Sequence, residues 1–110
     1  MEQISYNDFA KLDIKIGTIK AVEVVEGADK LLKLTVDAGE NEPRQIISGI
    51  RQFFPDPQEL VGKQCPFLIN LEPRVIRGLE SQGMILAVGA GDTFSLLEPN
   101  SEVGPGTPVN

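Results

Sequence analysis

Between Asp13 and Val24 the chain alternates apolar and polar residues with period two, then slips phase once and carries on. Ile14 and Ile16 fall on one face, Ile19 and Ala21 on the other, and Val22 and Val24 return to the first. Twelve residues of such a pattern are too many for an ordinary flat strand and have the wrong period for a helix. A single phase slip with Gly17 beside it reads as one long strand bent by a bulge. Long strands of this kind curl a small sheet toward closure.

The rest of the chain supplies partners for that strand. Ser5-Tyr6-Asn7-Asp8 is a helix start, with a serine N-cap and an acid three residues on, and the helix spans about residues 5–11. Glu26-Gly27-Ala28-Asp29 is a turn. Leu32, Leu34 and Val36 alternate with Lys33, Thr35 and Asp37, so a half-buried second strand is expected there. A polar turn over residues 38–43 leads into a third strand, Arg44 to Ile50. Pro55 to Gly62 has proline near its start and glycine after it, the punctuation of a short helix. Two apolar strands follow, Cys65–Leu71 and Met84–Val88, then a small strand from Thr93 to Leu97. The order is three strands, a short helix, then two more strands. It predicts an all-β class: a five-stranded OB-fold barrel with a short helix between strands 3 and 4. A short N-terminal helix and extra C-terminal strands, in an extension of about residues 89–110, lie outside the barrel. At 110 residues this is one domain, 1–110.

Composition excludes several chemistries. The chain has no histidine, so the commonest general base and metal ligand is missing. Its single cysteine, Cys65, lies in an apolar strand and reads as a small core residue, and one cysteine forms no internal disulfide. No apolar run approaches the ~20 residues of a membrane span, and the first residues lack a signal-peptide pattern, so a cytoplasmic setting is expected. Acid pairs such as Asp56 and Glu59, or Glu40 and Glu42, occur in turns and helix starts where acids belong for structural reasons. There is no glycine-rich phosphate loop. The chain is therefore read as no enzyme, with no cofactor, no metal and no small-molecule substrate.

What remains is a connection that packing does not require. Residues 70–83 hold Pro73, Arg74, Arg77, Gly78, Ser81, Gln82 and Gly83, which are donors and backbone freedom without a nucleophile–base pair. Such a loop on a rigid scaffold suits an anionic, shaped ligand. Charge is unevenly placed around it. All ten Lys and Arg lie at or before Arg77, while the last 33 residues carry four acids and no base. The net charge of −6 runs against the usual basic balance of a nucleic-acid-binding domain.

Five motifs occur in order: Asp13-Ile14-Lys15-Ile16-Gly17-Thr18-Ile19, then Glu26-Gly27-Ala28-Asp29-Lys30-Leu31-Leu32-Lys33-Leu34, then Ser48-Gly49-Ile50, then Asn70-Leu71-Glu72-Pro73-Arg74, and finally Gly78-Leu79-Glu80-Ser81-Gln82-Gly83-Met84. Together they resemble the tRNA-binding domain found at the C-terminus, or as the beta chain, of methionyl-tRNA synthetases, in stand-alone tRNA-binding proteins and in CsaA-type proteins. The resemblance covers about residues 8–110. It implies an OB-fold that recognises tRNA shape at the elbow, a homodimer contacting through elements outside the barrel, and a synthetase catalytic chain as a further partner. It also implies tRNA contacts by Lys30, Lys33, Asn70, Arg74, Arg77, Ser81 and Met84. Val75 stands where relatives often have lysine, and Arg77 is expected to substitute for it. The alternatives are a chaperone-like peptide-binding protein on the same fold, or a pure dimerisation domain. The initiating Met1 leans toward an independent polypeptide.

Overall fold

The computed structural model describes residues 1–110. After a short helix, α1 (Tyr6–Ala10), the long strand β1 (Ile14–Val24) is followed by β2 (Leu32–Asp37) and β3 (Arg44–Ser48). Then come β4 (Gln64–Leu68), the small strands β5 (Arg74–Ile76) and β6 (Leu79–Ser81), and β7 (Met84–Ile85). The last two strands are β8 (Ala87–Ala90) and β9 (Thr93–Leu96). Five strands form one antiparallel sheet in the order β3-β2-β1-β4-β7, while β5–β6 and β8–β9 form separate two-stranded ladders. The sheet curls until β3 meets the β6–β7 segment, which gives a nearly closed five-stranded barrel of OB-fold topology. Ser5 caps α1 as its sequence requires, accepting a hydrogen bond from the Asp8 backbone N–H at 3.0 Å.

β1 makes the barrel possible. Its first half pairs with β4, Ile14 facing Leu68, and its second half with β2, Val24 facing Leu32. The register shifts between Ile19 and Ala21, so the bulge falls at Lys20, three residues beyond Gly17. The extra residue is what turns both Ile19 and Val22 into the core, although they are an odd number of positions apart. Gly17 has a different role. A Cβ there would lie 2.5 Å from Val36 Cγ1, so the side-chain-free position lets the strands close on a crowded interior.

The core joins Leu32, Leu34 and Val36 from β2 with Ile46, Phe67, Leu60 and Ile85. Phe67 is fully buried. In place of one short helix between β3 and β4 there are two 3-10 turns, Arg51–Phe53 and Pro57–Leu60. Asp56 caps the second, and Leu60 plugs the barrel from it. The stretch Met84–Val88, expected as one strand, breaks at Leu86 into β7 and β8. The C-terminal tail folds back on the barrel. Gly106 and Val109 donate to the carbonyls of Ile16 and Ile14, and Ile16 donates to Thr107, so the tail lines the start of β1.

The seam between β3 and the β6–β7 segment is closed largely by side chains. One backbone bond crosses it, from Gln82 N–H to the Gln45 carbonyl at 2.8 Å. Gln45 N–H donates to the Gln82 side chain at 2.8 Å, the Gln45 amide to the Glu80 carbonyl at 2.8 Å, and Ile47 N–H to Ser81 Oγ at 3.0 Å. Arg44 locks the end of the seam. Its guanidinium grips both Glu40 carboxylate oxygens at 2.6 and 2.8 Å and donates to the carbonyls of Ile69 and Gln82.

The hydrogen bond from Arg44 holds the Glu40 carboxyl below its ordinary value of 4.5, partly opposed by burial. A carboxylate depressed in the folded state stabilises the fold above its unfolded pKa, and that contribution is lost as pH falls through the folded value. Glu40→Gln should therefore lower the melting temperature at neutral pH and flatten its decline between about pH 5 and pH 3. Thermal melts across that range check this; parallel acid limbs for the two proteins would show that the pair does not couple to folding.

Candidate nucleic-acid interface

The connection between β4 and β7 is a projecting β-hairpin, a form the sequence did not announce. Arg74 pairs with Ser81, Val75 with Glu80 and Ile76 with Leu79. The turn between them is Arg77-Gly78, with φ of 53° and 77°. Positive φ at both central positions is the type I′ pattern that two-residue hairpins favour, and it normally selects Asn-Gly. Arg77 is the one residue other than glycine with positive φ in the chain. A residue with a Cβ pays for that conformation by roughly 1–2 kcal/mol. Backbone strain at an exposed arginine on a loop tip points to a role outside folding.

The hairpin has a direction. β6 and the segment after it run antiparallel to β3: Gln82 and Glu80 meet Gln45, and Ser81 meets Ile47. The tip at Arg77 therefore heads toward the C-terminal end of β3. At that end Ser48 faces Leu32, and the Arg51 backbone N–H donates to the Lys30 carbonyl at 3.2 Å. Lys30 and Arg51 thus occupy adjoining loops at the end of the barrel toward which Arg77 points. Sequence reasoning missed Arg51. Nothing in its local pattern separates it from other residues that follow a strand, and only the β2–β3 pairing places it beside Lys30.

The ion pairs sort the cations. Lys11, Lys15, Lys33, Arg44 and Lys63 each lie within reach of a carboxylate. Lys20, Lys30, Arg51, Arg74 and Arg77 do not. In particular, neither hairpin arginine pairs with Glu72 or Glu80, its nearest acids in sequence. Four of these five unpaired cations therefore belong to the hairpin and the two loops it points toward. The Arg51 guanidinium reaches the Ala28 carbonyl at 3.5 Å, whereas those of Arg74 and Arg77 give up no internal partner on meeting a phosphate.

The other expected contacts are distributed differently. Lys33 is bound at 2.8 Å to Glu23, the residue opposite it on β1. Asn70 is exposed, but its side chain accepts from Asp13 N–H at 2.9 Å and donates to the Lys11 carbonyl at 2.6 Å, which ties the end of α1 to the end of β4. Ser81 is 4% exposed, and its hydroxyl is occupied by Ile47 N–H and the Gly83 carbonyl. It lies in the barrel seam. Gly83 sits beside it with φ of 147°, and a Cβ there would come within 2.8 Å of the Leu68 carbonyl. Met84 is 41% exposed. Arg74, Ser81 and Met84 line one hollow of about 40 Å³ with Ile47, Leu71 and Ile76 under the hairpin, so three of the candidates do meet.

No group of three or more His, Cys, Asp or Glu side chains converges anywhere. Burial pushes the Cys65 thiol up to about 11, which leaves it protonated and unreactive at neutral pH. No helix is long and apolar enough to cross a membrane.

Comparison with known proteins bears directly on this arrangement. A family model described as "Putative tRNA binding domain" matches residues 14–108, nearly the whole barrel and its tail. The chain belongs to this tRNA-binding domain family. It is 48% identical over 108 residues to a methionine--tRNA ligase of Methanococcoides burtonii, and 50% identical over 107 residues to one of Xanthomonas axonopodis. These matches take in 97% and 96% of the chain but only 16% and 15% of the ligases, so the chain spans about a sixth of their length. Among solved structures, a MetRS-related protein of Pyrococcus horikoshii superposes with a TM-score of 0.91 at 39% identity, over 99% of both chains. The chaperone CsaA of Bacillus anthracis superposes at 0.88 with 27% identity, over 99% of this chain and 100% of that one.

The strain at Arg77 makes a separable prediction. Arg77→Asn should raise stability by about 1 kcal/mol, because asparagine tolerates the left-handed region. Denaturant unfolding measures it, and a midpoint lower than wild type would mean that the arginine stabilises the hairpin.

Proposed function

We infer that this member of the tRNA-binding domain family is a non-catalytic module that binds folded tRNA through the end of the barrel carrying Lys30, Arg51 and the Arg74–Arg77 hairpin. The observation behind this reading is the grouping of four unpaired cations on the hairpin and its adjoining loops, in a chain whose net charge is −6. Long-range attraction to RNA is weak for such a protein, so binding depends on a few well-placed short-range contacts. Arg74, Arg77, Lys30 and Arg51 contact phosphates. Met84 offers a soft apolar surface beside them for a ribose or base edge. Lys33, Asn70 and Ser81 act less directly, through an ion pair, a loop tie and the seam that holds the hairpin in place.

A cation set on a protruding hairpin reads backbone shape and carries little base information. The module therefore recognises the outer corner of tRNA irrespective of anticodon. It serves a methionyl-tRNA synthetase as a C-terminal domain or beta chain, or acts beside one in the cytoplasm, and raises the local concentration of tRNA. Pairing of two copies is part of this reading. α1 buries none of its residues, and Tyr6, Phe9 and Leu12 stand 79%, 40% and 47% exposed. Such an apolar patch, Tyr6 and Phe9 on the five-residue helix and Leu12 just beyond it, suits a contact with a second copy.

Titration with unfractionated tRNA at several salt concentrations tests the binding claim. Four phosphate contacts give a log–log slope of roughly −3. Arg74→Ala should weaken binding about tenfold for tRNAs of every anticodon. Arg77→Asn should weaken it while the fold becomes more stable. A loss confined to one isoacceptor would overturn shape recognition. Sedimentation should show about twice the 11.9 kDa chain mass, and Tyr6→Glu should return it to one; a wild-type protein at single mass rules out the pair.

A further inference from the structure

The motif Glu26–Leu34 contributes Lys30 and Lys33 to the RNA reading but leaves Asp29 unused. Asp29 is exposed among the unpaired cations, with Lys30 next to it in sequence and Arg51 on the adjoining loop. Its carboxylate pairs with neither. Nor does the turn need it, because the backbone there closes itself: Ala28 N–H donates to Val25 at 3.1 Å and Leu31 N–H to Ala28 at 3.2 Å. A free carboxylate beside phosphate-binding cations weakens their pull on a phosphate. Neither folding nor backbone contact accounts for an acid at this position.

Asp29 and Arg51 line one cleft of about 390 Å³ whose apolar lining is Val24, Phe54, Pro55 and Pro57. Its sides are tied together. The Arg51 backbone N–H donates to the Lys30 carbonyl at 3.2 Å and its guanidinium reaches the Ala28 carbonyl at 3.5 Å. The Gln58 amide donates to the Val22 carbonyl at 2.9 Å, which fixes the second 3-10 turn to the end of β1. Val24 remains 51% exposed. Apolar faces and one carboxylate, beside cations that hold a nucleic-acid backbone, suit a planar base turned out of its stack. The carboxylate selects among bases because it only accepts hydrogen bonds. Guanine alone presents two N–H donors side by side, N1–H and the N2 amino group. Adenine and cytosine set a ring-nitrogen acceptor beside their amino group, and uracil flanks its single N3–H with two carbonyls.

We propose that this cleft receives one unpaired guanine of the bound RNA, and that Asp29 is the residue that specifies it. The two Asp29 oxygens accept from guanine N1–H and the N2 amino group. The base lies against Val24, Pro55 and Pro57, and Arg51 stays with the phosphate. The inference rests on the RNA reading above and adds base recognition to it. A guanine outside the anticodon leaves binding independent of anticodon.

The probes are fluorescein-labelled single-stranded oligouridines of about six nucleotides, unaltered or with guanosine, inosine or 7-deazaguanosine at one position, followed by anisotropy at about 20 mM salt. The guanosine oligonucleotide should bind about tenfold more tightly than the all-uridine one. Inosine, which lacks the N2 amino group, should lose most of that advantage. 7-Deazaguanosine keeps both donors and should retain it. Asp29→Asn should weaken the guanosine oligonucleotide without weakening the uridine one, bringing their ratio near one. Mere removal of a repelling charge would strengthen both alike, and that result overturns the proposal. So does a ratio near one in the wild-type protein, or absence of binding by either oligonucleotide. Arg74→Ala should weaken both by the same factor. Salt-dependent tRNA binding without a guanosine preference therefore refutes this inference alone, whereas failure to bind tRNA refutes the RNA reading with it.

Discussion

The barrel depends on a seam that is not a normal ladder. Four strands pair in sequence from β3 to β4, and β7 adds only two paired positions to β4. Closure against β3 then falls to Arg44, Gln45, Ser81 and Gln82. Side-chain amides and a hydroxyl stand in for missing backbone partners, so the edge of β3 is satisfied without a sixth full strand. Each bond is of ordinary strength. Their weight comes from burial, because losing Ser81 Oγ would strand the Ile47 N–H in the interior at a cost of about 1–3 kcal/mol.

That arrangement explains how a loop of polar residues becomes a rigid platform. The same residues that close the barrel form the base of the β5–β6 hairpin, and Gly83 lets the backbone pass close to Leu68. The tip carries Arg77 in a conformation that its side chain disfavours. The seam fixes the base, the turn fixes the tip, and the arginines between them keep no internal ionic partner. A cationic group held in position beforehand loses less entropy on binding than one on a mobile loop. This matters in an acidic protein, where long-range attraction gives little help.

Much of the fold was legible in the residues. The Ser5 cap, the alternation of Leu32, Leu34 and Val36, and the strand order all carry local signals that the structure follows. The bulge was legible in kind but not in place. Its position at Lys20 is set by the register against β2, a long-range fact that Gly17 does not encode. The β5–β6 hairpin escaped notice because its strands are three residues long and its turn has arginine where asparagine is the usual sign. At the candidate site, the unpaired state of Arg74 and Arg77 and the proximity of Arg51 to Lys30 exist only once strands are paired. Ser81 shows the opposite difficulty. A small polar residue in a glycine-rich loop reads as ligand-facing, yet its hydroxyl is committed to Ile47 and Gly83.

The tail pairing has a mechanical consequence. Val109 is hydrogen-bonded to Ile14 at 2.8 Å, and the tail runs antiparallel to the start of β1. Both ends of the barrel thus leave from one point on its surface. Tension applied between them would load these bonds one after another, as in a zipper, and peel the tail from β1 before the core strands felt the force. A domain hung from neighbours on both sides would yield first along this strip, while the cationic hairpin, held by its own seam, kept its shape.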